Sequence, residues 1–149
     1  MRYDHAVIPV ADAAKALAFY GKVLRLPLAQ TIEGPDWGGF PWLMMIFAIA
    51  DGKELVIVAF KGWDRDAGPP SPDMRHYAFS AESADDLEAW RARLEAADVD
   101  YWLEEHAERV SYYFPDPEGT ILEITWPPAE VMIDPGAVEA AKRWIAANR

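Results

Sequence analysis

The sequence repeats itself at an offset of 71 residues. With His5 laid over His76, Asp12 falls on Ser83, Phe19 on Trp90, Val23 on Leu94 and Leu28 on Val99. A repeat constrains a fold more than any local preference, because each half must form the same unit and the two must share a core. At 149 residues the chain fits one domain, or two half-size modules packed together.

Each half reads as strand, cap, helix and three further strands. Asp12 and Ser83 are residue types that accept a hydrogen bond from the free N–H groups of a first helical turn. Apolar residues then recur at helical spacing, as Ala13, Ala16, Tyr20, Val23 and Leu24 in the first half and Leu87, Trp90, Leu94 and Ala97 in the second. Strand-like segments follow at Leu28 to Ile32, Trp42 to Ala50 and Glu54 to Phe60, then at Asp100 to Glu104, Ser111 to Phe114 and Thr120 to Trp126. The expected class is α+β, with two paired βαβββ modules at residues 1–60 and 74–126.

The closing strands align as "DGKELVIV" from Asp51 over "EGTILEIT" from Glu118, which sets Val56 against Glu123. Residues 61–73 are rich in Gly, Pro and Asp and read as a linker. Within the extension at 127–149, an amphipathic helix is expected over Pro135 to Asn148, with Val138, Ala141, Trp144 and Ile145 on one face.

Charge and composition narrow the function. Fourteen basic residues against 25 acidic ones give a net charge of −11, which disfavours nucleic acid and anionic membranes and favours a cationic ligand. Cysteine is absent, so disulfides, thiolate metal ligands and a cysteine nucleophile are excluded. No signal-like segment and no run of roughly 20 apolar residues is present, and a cytoplasmic, soluble protein is expected.

Glu123 is the anomaly. It stands among Ile121, Leu122, Ile124 and Trp126 in a strand that reads as core, where an unpaired carboxylate costs several kcal/mol. If the modules pair about a pseudo-twofold axis, His5, His76 and Glu123 converge. Two imidazoles and a carboxylate suit one divalent first-row ion, Fe, Mn, Co, Ni or Zn. Such an ion would compensate the buried charge.

The segments "DHAVIPVADAAKALAFYGKVL", "RHYAFSAESADDLEAWRARLEAADV" and "YYFPDPEGTILEI" resemble the vicinal-oxygen-chelate superfamily of glyoxalases, epimerases, extradiol dioxygenases, fosfomycin-inactivating enzymes and bleomycin-binding proteins. The resemblance spans about Tyr3 to Trp126. It implies an open, cupped sheet around a metal site, a small-molecule substrate and a homodimer. Ligands would come from His5, Val56, His76 and Glu123, and since Val56 cannot coordinate, the chain resembles the three-ligand branch.

Two enzyme subfamilies compete. "HYAFS", "SYYF" and "DPEGTILE" resemble the fosfomycin thiol transferases, which implies a thiol cosubstrate, yet Val7, Leu103 and Ala107 stand where those enzymes carry threonine, lysine and serine. From His106, the residues Tyr113, Asp116, Pro117, Gly119 and Glu123 follow the order of the extradiol dioxygenase signature, with Glu104 and Tyr112 departing from it.

On either reading Tyr113 is the expected proton donor or hydrogen-bond partner, with His106 as a candidate acid or base and Arg109 as a candidate anion contact. Trp37, Trp42, Trp102 and Ser111 are candidate substrate contacts, and "GPDWGGFPW" reads as a mobile flap or a long hairpin loop. A third reading is a metal-free binder that sequesters a cationic aromatic ligand, which seven tryptophans on an acidic chain would suit.

Overall fold

The computed structural model describes residues 1–68 and 70–148. The first half comprises β1 (Arg2–Val10), α1 (Ala13–Leu17), β2 (Leu28–Trp37), β3 (Phe40–Ile49) and β4 (Lys53–Phe60). The second comprises β5 (His76–Ser80), α2 (Ala84–Ala96), β6 (Trp102–His106), β7 (Arg109–Pro115) and β8 (Ile121–Trp126), and α3 (Ala137–Ala147) follows. Asp12 and Ser83 cap their helices as expected. Oδ1 of Asp12 accepts from Lys15 N at 2.9 Å, and Oγ of Ser83 accepts from Asp86 N at 3.1 Å.

All eight strands form one curled, open sheet in the order β2-β3-β4-β1-β5-β8-β7-β6. Each half contributes four neighbouring strands. The outer pairings are antiparallel hairpins, β1 and β4 are parallel, and so are β5 and β8. The halves join where β1 runs antiparallel to β5. Register makes the repeat explicit: Val7 faces Val56 on β4, and Ala78 faces Glu123 on β8, so Val56 and Glu123 are equivalent positions.

The convex face carries the helices. Ala13 and Ala16 of α1 and Ala141 and Trp144 of α3 pack with Leu43, Met45, Phe47 and Ile57, while Leu87 of α2 packs with Tyr112 and Ile124. Each such fully buried large side chain contributes roughly 1.5–3 kcal/mol. The terminal helix therefore packs within its own chain, and Val138, expected on its apolar face, is exposed.

One expectation is corrected and two are sharpened. Val23 and Leu24 are solvent-exposed because residues 18–23 continue α1 as a wider π-helical turn, with Leu24 N bonding Phe19 O, and that turn breaks the 3.6-residue period. The flap is a tight hairpin tip in which Trp37 pairs with Phe40 across Gly38 and Gly39, both at positive φ. The linker at 61–73 is packed rather than free of the core, since its Trp63 is buried with Val7, Val56 and Phe60 on the concave face.

Candidate metal centre

The centre sits in the concave face at the seam between the halves. His5 comes from β1, His76 from the start of β5 and Glu123 from the middle of β8, and all three are buried. One ligand-capable atom from each lies within 4.8 Å of the others. Oε2 of Glu123 is 3.4 Å from Nε2 of His5 and 3.0 Å from Nε2 of His76. The latter pair is close but poorly directed. Neither His76 Nε2 nor Glu123 Oε2 has a hydrogen-bond partner, and both are buried.

A second layer holds each side chain in place. Nδ1 of His5 donates to Oδ1 of Asp4 at 2.7 Å, and Oδ2 of Asp4 accepts from Ala129 N at 3.0 Å. Nδ1 of His76 donates to the Asp73 carbonyl at 2.5 Å, which turns its Nε2 lone pair toward Glu123. Oε1 of Glu123 accepts the one hydroxyl proton of Ser111 at 2.6 Å, leaving Thr125 to donate to Ser111 at 2.8 Å. Carboxylate or carbonyl partners behind ligating histidines are the usual support of a metal site.

Electrostatics agree with that arrangement. Burial alone would push the His5 imidazole down, but the hydrogen bond to Asp4 and the charges of Glu123 and Asp4 outweigh it and raise its pKa to about 9. Burial would likewise raise the Glu123 carboxyl, yet His5 and His76 hold it well below the ordinary carboxylate range. A bound cation would compete with a proton for His5 and would offset the charge of Glu123. Two imidazole nitrogens and a carboxylate oxygen, with two orphaned buried atoms among them, fit a divalent first-row ion.

A cavity of about 430 Å³ opens above the three residues. Tyr113 lines it from β7, directly opposite Glu123 in register, with its ring 5.3 Å from that of His76. Burial, then the carboxylates of Glu123 and Glu104, push the Tyr113 hydroxyl far above its usual range. Arg109 lines the cavity with Nη1 4.0 Å from Oδ1 of Asp4, and the largely exposed His106 stands at the rim with Nε2 3.0 Å from Glu104.

The aromatic candidates divide. Trp37 lines the cavity, Trp42 packs edge-on against it at 5.6 Å, and Trp102 stacks on Tyr113 at 5.3 Å. Ser111 is fully buried and bound to Glu123, outside the cavity lining. Sequence reading missed Asp4, Glu54, Asp73 and Glu130. Glu54 alone left a usable signal, since it is two residues from Val56 on one strand and so shares its face.

The family described as the Glyoxalase/Bleomycin resistance protein/Dioxygenase superfamily matches residues 2–124. The chain is 29% identical over 121 residues to a glutathione transferase FosA of Serratia marcescens, covering 81% of this chain and 77% of that one. Among solved structures it is similar to a hypothetical protein of Bacillus halodurans C-125, with a TM-score of 0.61, 17% identity, and coverage of 83% of this chain and 92% of the other. A catechol 2,3-dioxygenase matches with a TM-score of 0.59 and 20% identity over 87% of this chain and 41% of its own. A Streptomyces coelicolor methylmalonyl-CoA epimerase gives 0.55 and 17% over 84% and 96%. Among the described residues, no helix is long and apolar enough to cross a membrane.

Proposed function

This chain belongs to the Glyoxalase/Bleomycin resistance protein/Dioxygenase superfamily, and on that premise we propose that it is a divalent-metal-dependent enzyme acting on a small substrate with two adjacent oxygens. The observation that carries this reading is the pair of buried, unpartnered atoms, His76 Nε2 and Glu123 Oε2, converging with His5 Nε2 at the floor of a cavity. Burying such atoms without a partner costs several kcal/mol, which a sequestering protein has no reason to bear.

His5, His76 and Glu123 would hold the ion, whose bound chemistry is Lewis acidity toward the substrate oxygens. The chain's own residues supply the rest. Asp4 and Ser111 keep His5 and Glu123 aimed at the centre. Tyr113, in the cavity lining beside His76, donates a hydrogen bond to negative charge developing on substrate oxygen. Val7, Ile46 and Val56 form a dry wall beside the donors, which strengthens each of these interactions.

Similarity to the glutathione transferase supports thiol transfer as the reaction class, with a thiol as cosubstrate. Extradiol ring cleavage is the second reading, favoured by His106 and Tyr113 lining one cavity. Elemental analysis of protein purified without added metal, beside His76→Ala, tests the common premise. Stoichiometric metal in the wild type and none in the variant is expected. A wild type that binds no transition metal would move the chain to the sequestering class.

A further inference from the structure

The cavity has two unlike walls. Val7, Ile32, Trp37, Met44, Ile46 and Val56 form an apolar side contributed by the first half. The second kind of lining is acidic, Asp73, Glu104 and Glu130, with Glu54 beside His5. With Glu123 the lining holds five carboxylates against one guanidinium, Arg109, which already lies beside Asp4. A divalent ion in the centre leaves that lining net anionic. Such a cavity repels a phosphonate or a carboxylate.

Trp37, Asp73 and Glu104 of this cavity also line an adjoining depression with Ser71, Pro72 and Trp102. Two indole rings and two carboxylates there surround one space. Glu104 is fixed in place, since Oε1 accepts from Trp102 Nε1 at 3.0 Å and Oε2 lies 3.0 Å from His106 Nε2. Trp102 is fixed by its stack on Tyr113, which ties the depression to the centre. Aromatic faces combined with carboxylates make a recognition site for an organic ammonium group.

We infer that Trp37, Trp102, Asp73 and Glu104 form an ammonium subsite, and that the substrate is an amine-bearing molecule with an apolar body and two adjacent oxygens. The amine rests in the depression, the body lies against Ile32 and Met44, and the oxygens reach the floor where His76 Nε2 and Glu123 Oε2 are unpartnered. The oxygen-binding part of this inference rests on the metal-dependent reading above; the ammonium subsite does not.

The two parts are separable by experiment. For the subsite, metal-free protein is titrated with phenethylamine and with phenylacetate, and tryptophan fluorescence is followed. Saturable quenching by the amine, at least about tenfold tighter than by the acid, is expected, and the doubly substituted Asp73→Asn, Glu104→Gln protein should lose that preference. Equal quenching by both, or a preference for the acid, overturns the subsite. For the whole site, zinc-loaded protein is titrated calorimetrically with dopamine, 4-methylcatechol and 3,4-dihydroxyphenylacetate, which differ in charge. The order of affinity expected is amine, neutral, acid; a tightest-bound acid, or binding of none, overturns the substrate class. Protein that takes up none of Zn, Fe, Mn, Co or Ni sinks the metal-dependent reading, while the metal-free titration still decides the subsite.

Discussion

Oδ1 of Asp4 lies 2.7 Å from Nδ1 of His5, so two neighbours in one strand meet side chain to side chain. Adjacent residues of a regular strand point to opposite faces. The pairing of β1 with β5 is irregular between Tyr3 and Ala6, which spans this pair and lets both side chains be buried on one site.

Asp4→Asn is expected to weaken metal binding by roughly 10- to 100-fold, since a carboxylate behind a ligating histidine sets its orientation and basicity. Competition against a chromophoric chelator measures it. An unchanged affinity in a correctly folded variant would assign Asp4 only to anchoring Ala129.

Metal should stabilise the fold as well as the site. At free metal one hundred times the dissociation constant the gain is about 2.7 kcal/mol, or roughly 5–10 °C in Tm for a domain of this size. Thermal unfolding with and without chelator reads it, and His76→Ala should show no metal-dependent rise.

Ser111→Ala removes the hydroxyl that donates to Oε1 of Glu123 and leaves that buried carboxylate oxygen unpaired. A loss of about 1.5–3 kcal/mol is expected for a hydrogen bond to a charged group. Urea unfolding of the metal-free protein checks this, and a loss under a few tenths would mean that another donor replaces the serine.

Val56 occupies the place equivalent to Glu123, so Val56→Gln sets a fourth donor beside the centre. Without metal, the buried amide should cost about 1–3 kcal/mol. Adding metal should recover part of that deficit and raise affinity above the wild type. Equal affinity in both proteins would show that the position does not face the ion.

The convergence of the three candidate ligands was legible because duplication supplied an alignment inside one chain: His5 pointed to His76, and the mismatch of Val56 with Glu123 marked the carboxylate. The second layer was not. Asp4 reaches His5 only through a local irregularity in strand pairing, and a period-two reading of β1 places it on the far face. Exposure of Val23 and Leu24 was hidden for a similar reason, since a π-helical turn leaves no mark in apolar spacing. Composition marked residues 61–73 as a linker but carried no sign of how it is held, which Trp63 does by donating from Nε1 to the Gly68 carbonyl.

All three donors belong to a single polypeptide and straddle the β1–β5 seam. If these three hold the ion as proposed, their convergence is a property of one folded chain. Metal affinity is then expected to stay constant as the protein is diluted.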